Sequence, residues 1–117
     1  MGIIRFDAFM EHALHHPEQG YYARRIRGVG PSGDFSTTAS LSSILGKRIA
    51  LWIRSEAQKH KFSTLPIIEI GAGTGKLMQD VRSSLPFLFK RKCKFHIVET
   101  STPLKAIQKR NLRKVQW

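Results

Sequence analysis

Pro66-Ile67-Ile68-Glu69-Ile70-Gly71-Ala72-Gly73-Thr74-Gly75-Lys76 is the stretch that decides the fold. Its first five residues are mainly β-branched and read as a short buried strand. Glycines then alternate at 71, 73 and 75, where a backbone without Cβ atoms turns sharply and lets a ligand come close. A helix is predicted from about Gly75 to Ser84, stopped by Pro86, and its first turn offers unbonded N–H groups.

Downstream, Lys94-Phe95-His96-Ile97-Val98 reads as a second strand. Thr102-Pro103 looks like an N-cap followed by proline at the first helical position, opening a helix to about Leu112. Val115-Gln116-Trp117 reads as the start of a third strand. The order β–loop–α–β–α–(β) implies a parallel α/β sheet with right-handed crossovers. Such sheets bury both faces and need several strands, so the sheet is expected to be incomplete.

Upstream the rhythm is helical. Phe6, Phe9, Met10, Ala13 and Leu14 form an apolar stripe that Pro17 should end near His15. Gly28-Val29-Gly30-Pro31-Ser32-Gly33-Asp34 is rich in turn formers. Ser42 and Ser43 are plausible N-caps for a helix with Ile44, Leu45, Ile49, Trp52 and Ile53 on one side. Residues 1–65 are therefore expected to be a helical extension, and 66–117 the first βαβα portion of the sheet domain.

Spacing narrows the ligand of the glycine turn. A P-loop needs Gly, four residues, then Gly-Lys-Ser/Thr. Counting back from Gly75-Lys76 puts Ile70 at the first glycine, and Leu77 replaces the metal-binding hydroxyl. The dinucleotide fingerprint Gly-x-Gly-x-x-Gly/Ala fails as well, because Lys76 stands at its third position. What remains, Glu69-x-Gly71-x-Gly73-x-Gly75, resembles the first motif of the Rossmann-like methyltransferases, whose loop cradles S-adenosylmethionine. That resemblance implies cofactor contacts from Glu69, Gly71, Ala72, Gly73, Thr74 and Gly75. An acid ending the second strand should accept hydrogen bonds from both ribose hydroxyls. Glu99 lies 24 residues beyond Gly75, near the offset at which Rossmann folds place that acid, about 20 residues on. Alternative roles stay open: a purely structural strand-to-helix turn, a solvated Glu69, and a helix-capping Glu99.

The wider pattern is more specific. Phe9-Met10, Ala13-Leu14, His16-Pro17-Glu18 and Gly20-Tyr21-Tyr22 resemble the N-terminal signature of the MidA family, the mitochondrial complex I assembly methyltransferases and their bacterial relatives. The likeness continues through Gly33-Asp34-Phe35, Thr37, Ser42, Gly46 and Ile49-Ala50-Leu51-Trp52. It then runs through Ile68 to Gly75, Leu77, Asp80, His96-Ile97-Val98-Glu99, Ser101, Leu104, Gln108 and Leu112. It implies a Rossmann-like class I methyltransferase fold with an N-terminal helical extension, S-adenosylmethionine as cofactor, and N-methylation of a protein arginine. Gly33, Asp34 and Thr37 are candidates for lining the site, with a turn role for Asp34 equally open. The family usually follows Gly-Asp-Phe with a segment like Thr-Ala-Pro-Glu-Ile-Ser. Here Thr37-Thr38-Ala39-Ser40-Leu41-Ser42 lacks the Pro and the Glu. Family chains are several times longer, so the sequence reads as a truncated N-terminal part. It is expected to be unstable, oligomeric or dependent on a second polypeptide, because an open strand edge invites pairing. No catalytic base is identified.

Composition frames these readings. Lys and Arg total 20 against 8 acids, a net charge of +12. Residues 1–65 hold nine cations and five acids, a net +4; residues 66–117 hold eleven and three, a net +8. That balance favours an acidic partner such as nucleic acid. Compensating acids elsewhere in a longer protein are the preferred explanation, because no aromatics interleave with Lys90-Arg91-Lys92-Cys93-Lys94. A basic RNA-binding module or an inactive remnant is the alternative function. Cys93 is the single cysteine, excluding an internal disulfide, and it reads as a bystander. The histidines show no metal-ligand spacing, so no metal is expected. No apolar run approaches the roughly 20 residues of a membrane helix, and no signal or transit segment is evident, which makes cytoplasmic the default expectation.

Overall fold

A computed structural model of the chain describes residues 3–24 and 42–117. In chain order the elements are α1 (Phe6–His15), α2 (Tyr21–Arg24), α3 (Ile44–His60), β1 (Leu65–Ile70), α4 (Lys76–Ser84), α5 (Phe87–Lys90), β2 (Cys93–Val98) and α6 (Thr102–Asn111). The α/β architecture expected from the sequence is the one observed. β1 and β2 pair in parallel, Leu65 opposite Cys93 through Ile70 opposite Val98. The third strand is present as a single parallel bridge between His96 and Gln116. Ile97 N–H donates to the Gln116 carbonyl at 2.8 Å, and Gln116 N–H to that of Phe95 at 3.0 Å. β2 thus lies between β1 and the C-terminal segment.

The core sits on one face of this sheet. Met78, Val81 and Leu85 around α4 meet Cys93, Phe95 and Ile97 of β2, with Ala50 and Ile53 of α3 and with Leu112 and Val115. No described helix covers the opposite face, where Ile68 is 60% exposed and Ile70 80%. β1 is therefore not the doubly buried strand that its isoleucines predicted. Its residues alternate between half-buried and exposed, because the described helices cover a single side.

Helix α3 also differs from its predicted face. Gly46, Ala50 and Ile53 are buried, while Ile44 and Trp52 are exposed. The reason is close approach to α4, since a Cβ on Gly46 would stand 2.5 Å from the Asp80 Cβ. Small residues make that contact, and the helix turns its bulkier neighbours outward. At the start of α3, Ser42 Oγ accepts from Ile44 N–H at 3.2 Å, whereas the Ser43 side chain makes no cap. The cap of α6 shifts by one residue from the predicted Thr102: Ser101 Oγ accepts from Leu104 N–H at 3.4 Å. The short α5 between Pro86 and β2 was not anticipated.

At the N-terminus, α1 buries none of its residues. His16 Nδ1 accepts from the N–H groups of Glu18 and Gln19, both at 3.2 Å. The chain then folds so tightly that a Cβ on Gly20 would meet His16 N at 2.5 Å. Cys93 is buried with its Sγ toward the Phe89 carbonyl, and burial pushes its thiol pKa up despite the lysines beside it in sequence.

Candidate functional site

The glycine turn leaves the C-terminal end of β1 and enters α4. Gly71, Gly73 and Gly75 all have positive φ, at 66°, 55° and 82°, the left-handed region that side chains disfavour. At Gly75 the constraint is doubled, because a Cβ there would meet Leu112 Cδ1 at 2.7 Å. Gly71 N–H donates to the Val98 carbonyl at 2.9 Å, and Gly75 N–H to that of Ala72 at 2.8 Å. These bonds tie the loop to the end of β2 and close it into a turn.

Helix α6 braces the loop from below. Gln108 Nε2 donates to the Gly73 carbonyl at 2.8 Å, and Asn111 Nδ2 to the Thr74 carbonyl at 3.0 Å. In a trans peptide the C=O and the following N–H point in opposite directions. With the Gly73 carbonyl held toward α6, Thr74 N–H is therefore directed away from it. The brace gives the loop a fixed donor face.

Gln108 also reaches the acid at the end of β2. Its Nε2 donates to Glu99 Oε2 at 2.9 Å, and Trp117 Nε1 donates to its Oε1 at 2.9 Å. The amide is fully buried. Its NH2 faces two acceptors and its oxygen one donor, so a flip would set like against like. Glu99 Oε1 meanwhile accepts from Ser101 N–H at 2.9 Å. Among the described residues each Glu99 oxygen carries one protein bond, which leaves lone pairs for further donors. The capping role considered for Glu99 and a ligand role are thus compatible. Ser101 Oγ donates to the Tyr22 carbonyl at 2.8 Å, docking α2 beside this acid.

Glu69 lies half-buried at the root of the loop. A backbone hydrogen bond from Met78 favours its charged form, but burial outweighs it and raises the pKa to about 7. Its Oε2 is buried with no partner among the described residues. Lys76, which lends the segment its P-loop appearance, turns back to pair with Asp80. That local use agrees with the failed P-loop spacing.

The structure therefore brings Glu69, Gly71 to Gly75 and Glu99 to one end of the sheet. Gly33, Asp34 and Thr37 lie outside the described residues. Sequence reasoning placed Gln108 in the family resemblance and Trp117 in a third strand but gave neither of them, nor Asn111, a part in the site. A signal for Gln108 existed: with Leu104 and Leu112 it forms an i, i+4, i+8 stripe, and a polar residue inside a buried stripe needs partners.

A parallel sheet with a three-glycine turn after its first strand and an acid ending its second defines a Rossmann-like nucleoside-cofactor domain. Residues 48–117 match the family described as "Putative S-adenosyl-L-methionine-dependent methyltransferase", and the chain belongs to that family. Among curated proteins it is 36% identical over 110 residues to the mitochondrial protein arginine methyltransferase NDUFAF7 homolog of Drosophila melanogaster, covering 92% of this chain and 25% of that protein. It is 32% identical over 118 residues to mitochondrial NDUFAF7 of Homo sapiens, covering 97% and 26%. A solved structure, "a COG1565 superfamily member and likely methyl transferase from Burkholderia thailandensis bound to S-adenosyl-homocysteine", superposes with a TM-score of 0.81 at 28% identity, over 97% of this chain and 32% of its own. The chain spans about a quarter of the length of the curated relatives it matches. Among the described residues, no helix is long and apolar enough to cross a membrane.

Proposed function

We propose that this chain forms the S-adenosylmethionine-binding portion of a methyltransferase whose acceptor is a protein arginine. The observation that carries the reading is the buried Gln108 amide, which joins the Gly73 carbonyl to the Glu99 carboxylate. One side chain sets the spacing between the glycine loop and the acid, the two groups such a cofactor needs. The residues present fit it: Glu69 Oε2 is buried without a partner among the described residues, and a Cβ on Gly71 would meet nothing within 4 Å. Gly71 to Gly75 would hold the methionine part and the adenosine edge, Glu99 the ribose hydroxyls, and Glu69 would offer its second oxygen beneath the loop.

S-adenosylmethionine supplies a methyl group already activated on a sulfonium. The protein's task is then to align the acceptor nitrogen and take up a proton. Gly33, Asp34 and Thr37 are proposed to line the acceptor's approach. Arginine as acceptor is supported by the names of the curated relatives. A further polypeptide segment covering the sheet is supported by the exposed face at Ile68 and Ile70. The compartment is cytoplasmic or, like those relatives, mitochondrial.

Titration calorimetry of the 117-residue chain with S-adenosyl-homocysteine tests the reading. One-to-one binding is expected. Glu99→Ala and Gln108→Leu, checked for retained helicity and melting, should each weaken it by about tenfold, the worth of one hydrogen bond to a charged group. No heat from the unsubstituted chain would overturn the reading.

A further inference from the structure

At the other end of the sheet the chemistry is reversed. A cleft of about 530 Å³ lies between the last turn of α4, α5 and the start of β2. Its wall includes Arg82, Phe87, Lys90, Arg91, Lys94 and Lys114, and it contains no acid. Residues 81–117 hold ten Lys and Arg against one acid, Glu99, and Glu99 is bound to Ser101 and Gln108 near the glycine loop. Among the described residues none of the five cations pairs with a carboxylate; the ion pairs lie elsewhere.

Arg82 gives the cleft its direction. Its guanidinium carbon sits 5.0 Å from the centroid of the Phe95 ring, which fixes the side chain over a buried aromatic. Its Nε is buried and has no hydrogen-bond partner among the described residues. A buried guanidinium N–H without an acceptor is costly. The ring face and the negative end of α4 offset part of that cost, but neither supplies a counter-charge. An anion seated in the cleft would supply one to the accessible part of the guanidinium.

We propose that this cleft binds the phosphate backbone of a single-stranded nucleic acid. Five unopposed cations exceed what one phosphate can use and suit successive phosphates. Phe87 stands at the rim, 73% exposed, where a base can stack on it. That aromatic favours a nucleic acid over an acidic peptide. Along the sequence no aromatic alternates with the Lys90–Lys94 run, but the fold brings Phe87 beside it. β2 begins at the cleft and ends toward the glycine loop, so the two sites stand about 17 Å apart along the strand. The proposal therefore does not depend on cofactor binding.

Fluorescence anisotropy of the 117-residue chain with a labelled 12-nucleotide oligouridine, over a salt series, tests it. Log affinity against log salt should fall with a slope of about −3.5, at about −0.7 per phosphate neutralised. The triple variant Lys90→Gln, Arg91→Gln, Lys94→Gln should bind at least about tenfold more weakly, with a slope near −1.4. A control triple that removes the same charge elsewhere, Lys47→Gln, Arg48→Gln, Lys105→Gln, should bind like the parent. Should the first triple fold poorly, Lys94→Glu at an exposed strand position reads the same loss. Equal losses in both triples, no binding, or equally good competition by tripolyphosphate or polyglutamate would each overturn the proposal.

Discussion

Burial raises the Glu69 pKa to about 7 from an ordinary value of 4.5, and that shift links the residue to stability. An acid whose folded pKa is raised holds more protons folded than unfolded between those two values. Its contribution to stability is complete below about pH 4.5 and is lost as pH rises through about 7. Glu69→Gln keeps an acceptor for Met78 and removes the charge. The variant should melt with the parent at pH 4.5 and about 2–4 °C above it at pH 8, partial exposure trimming the full effect. Equal melting of the two proteins at pH 8 would show that the carboxyl is solvated after all.

Among the elements, the α3–α4 contact gives a prediction whose sign is informative. Alanine is a better helix former than glycine by about 1 kcal/mol, so on propensity alone Gly46→Ala stabilises. A Cβ there lies 2.5 Å from Asp80 Cβ and 3.1 Å from the backbone at Asp80 and Val81, atoms that cannot rotate away. Gly46→Ala should therefore lower the denaturant midpoint, by an equivalent of about 1–3 kcal/mol. A raised midpoint would mean that the helices separate easily. The same contact shows where the sequence stopped being legible. Ile44, Leu45, Ile49, Trp52 and Ile53 mark a helix correctly, but periodicity weights large apolar residues and is blind to a contact made by Gly46 and Ala50. The β1–glycine–α4 unit was legible because each part carries its own local signal: β-branched residues, alternating glycines and a proline stop. The position of Glu99 directly after the second strand was legible from the Lys94–Val98 run that precedes it. The brace from Gln108 and Asn111 was not, because it joins residues 35 and 37 positions apart through side-chain geometry that no local pattern encodes.

For the molecule as a whole, the radius of gyration is 17.0 Å, against about 13 Å for a compact domain of this length. None of the residues of α1 is fully buried, and the described helices cover the sheet on one side. A parallel sheet ordinarily carries helices on both faces, and here Ile68, Ile70 and Val98 stand exposed next to one another on β1 and β2. Contiguous apolar surface of this kind is where water is least well replaced by the protein itself. The chain should consequently bind a hydrophobic dye such as anilinonaphthalene sulfonate while folded, and its sedimentation coefficient should rise with concentration. Ile68→Thr with Ile70→Thr preserves β-propensity and removes the apolar face, so the pair should reduce dye fluorescence severalfold and abolish the concentration dependence without loss of helicity. Dye binding that survives both substitutions would transfer the exposed apolar surface to the helices, where Phe6 and Phe9 of α1, Leu51 and Trp52 of α3 and Phe87 and Leu88 of α5 also face solvent.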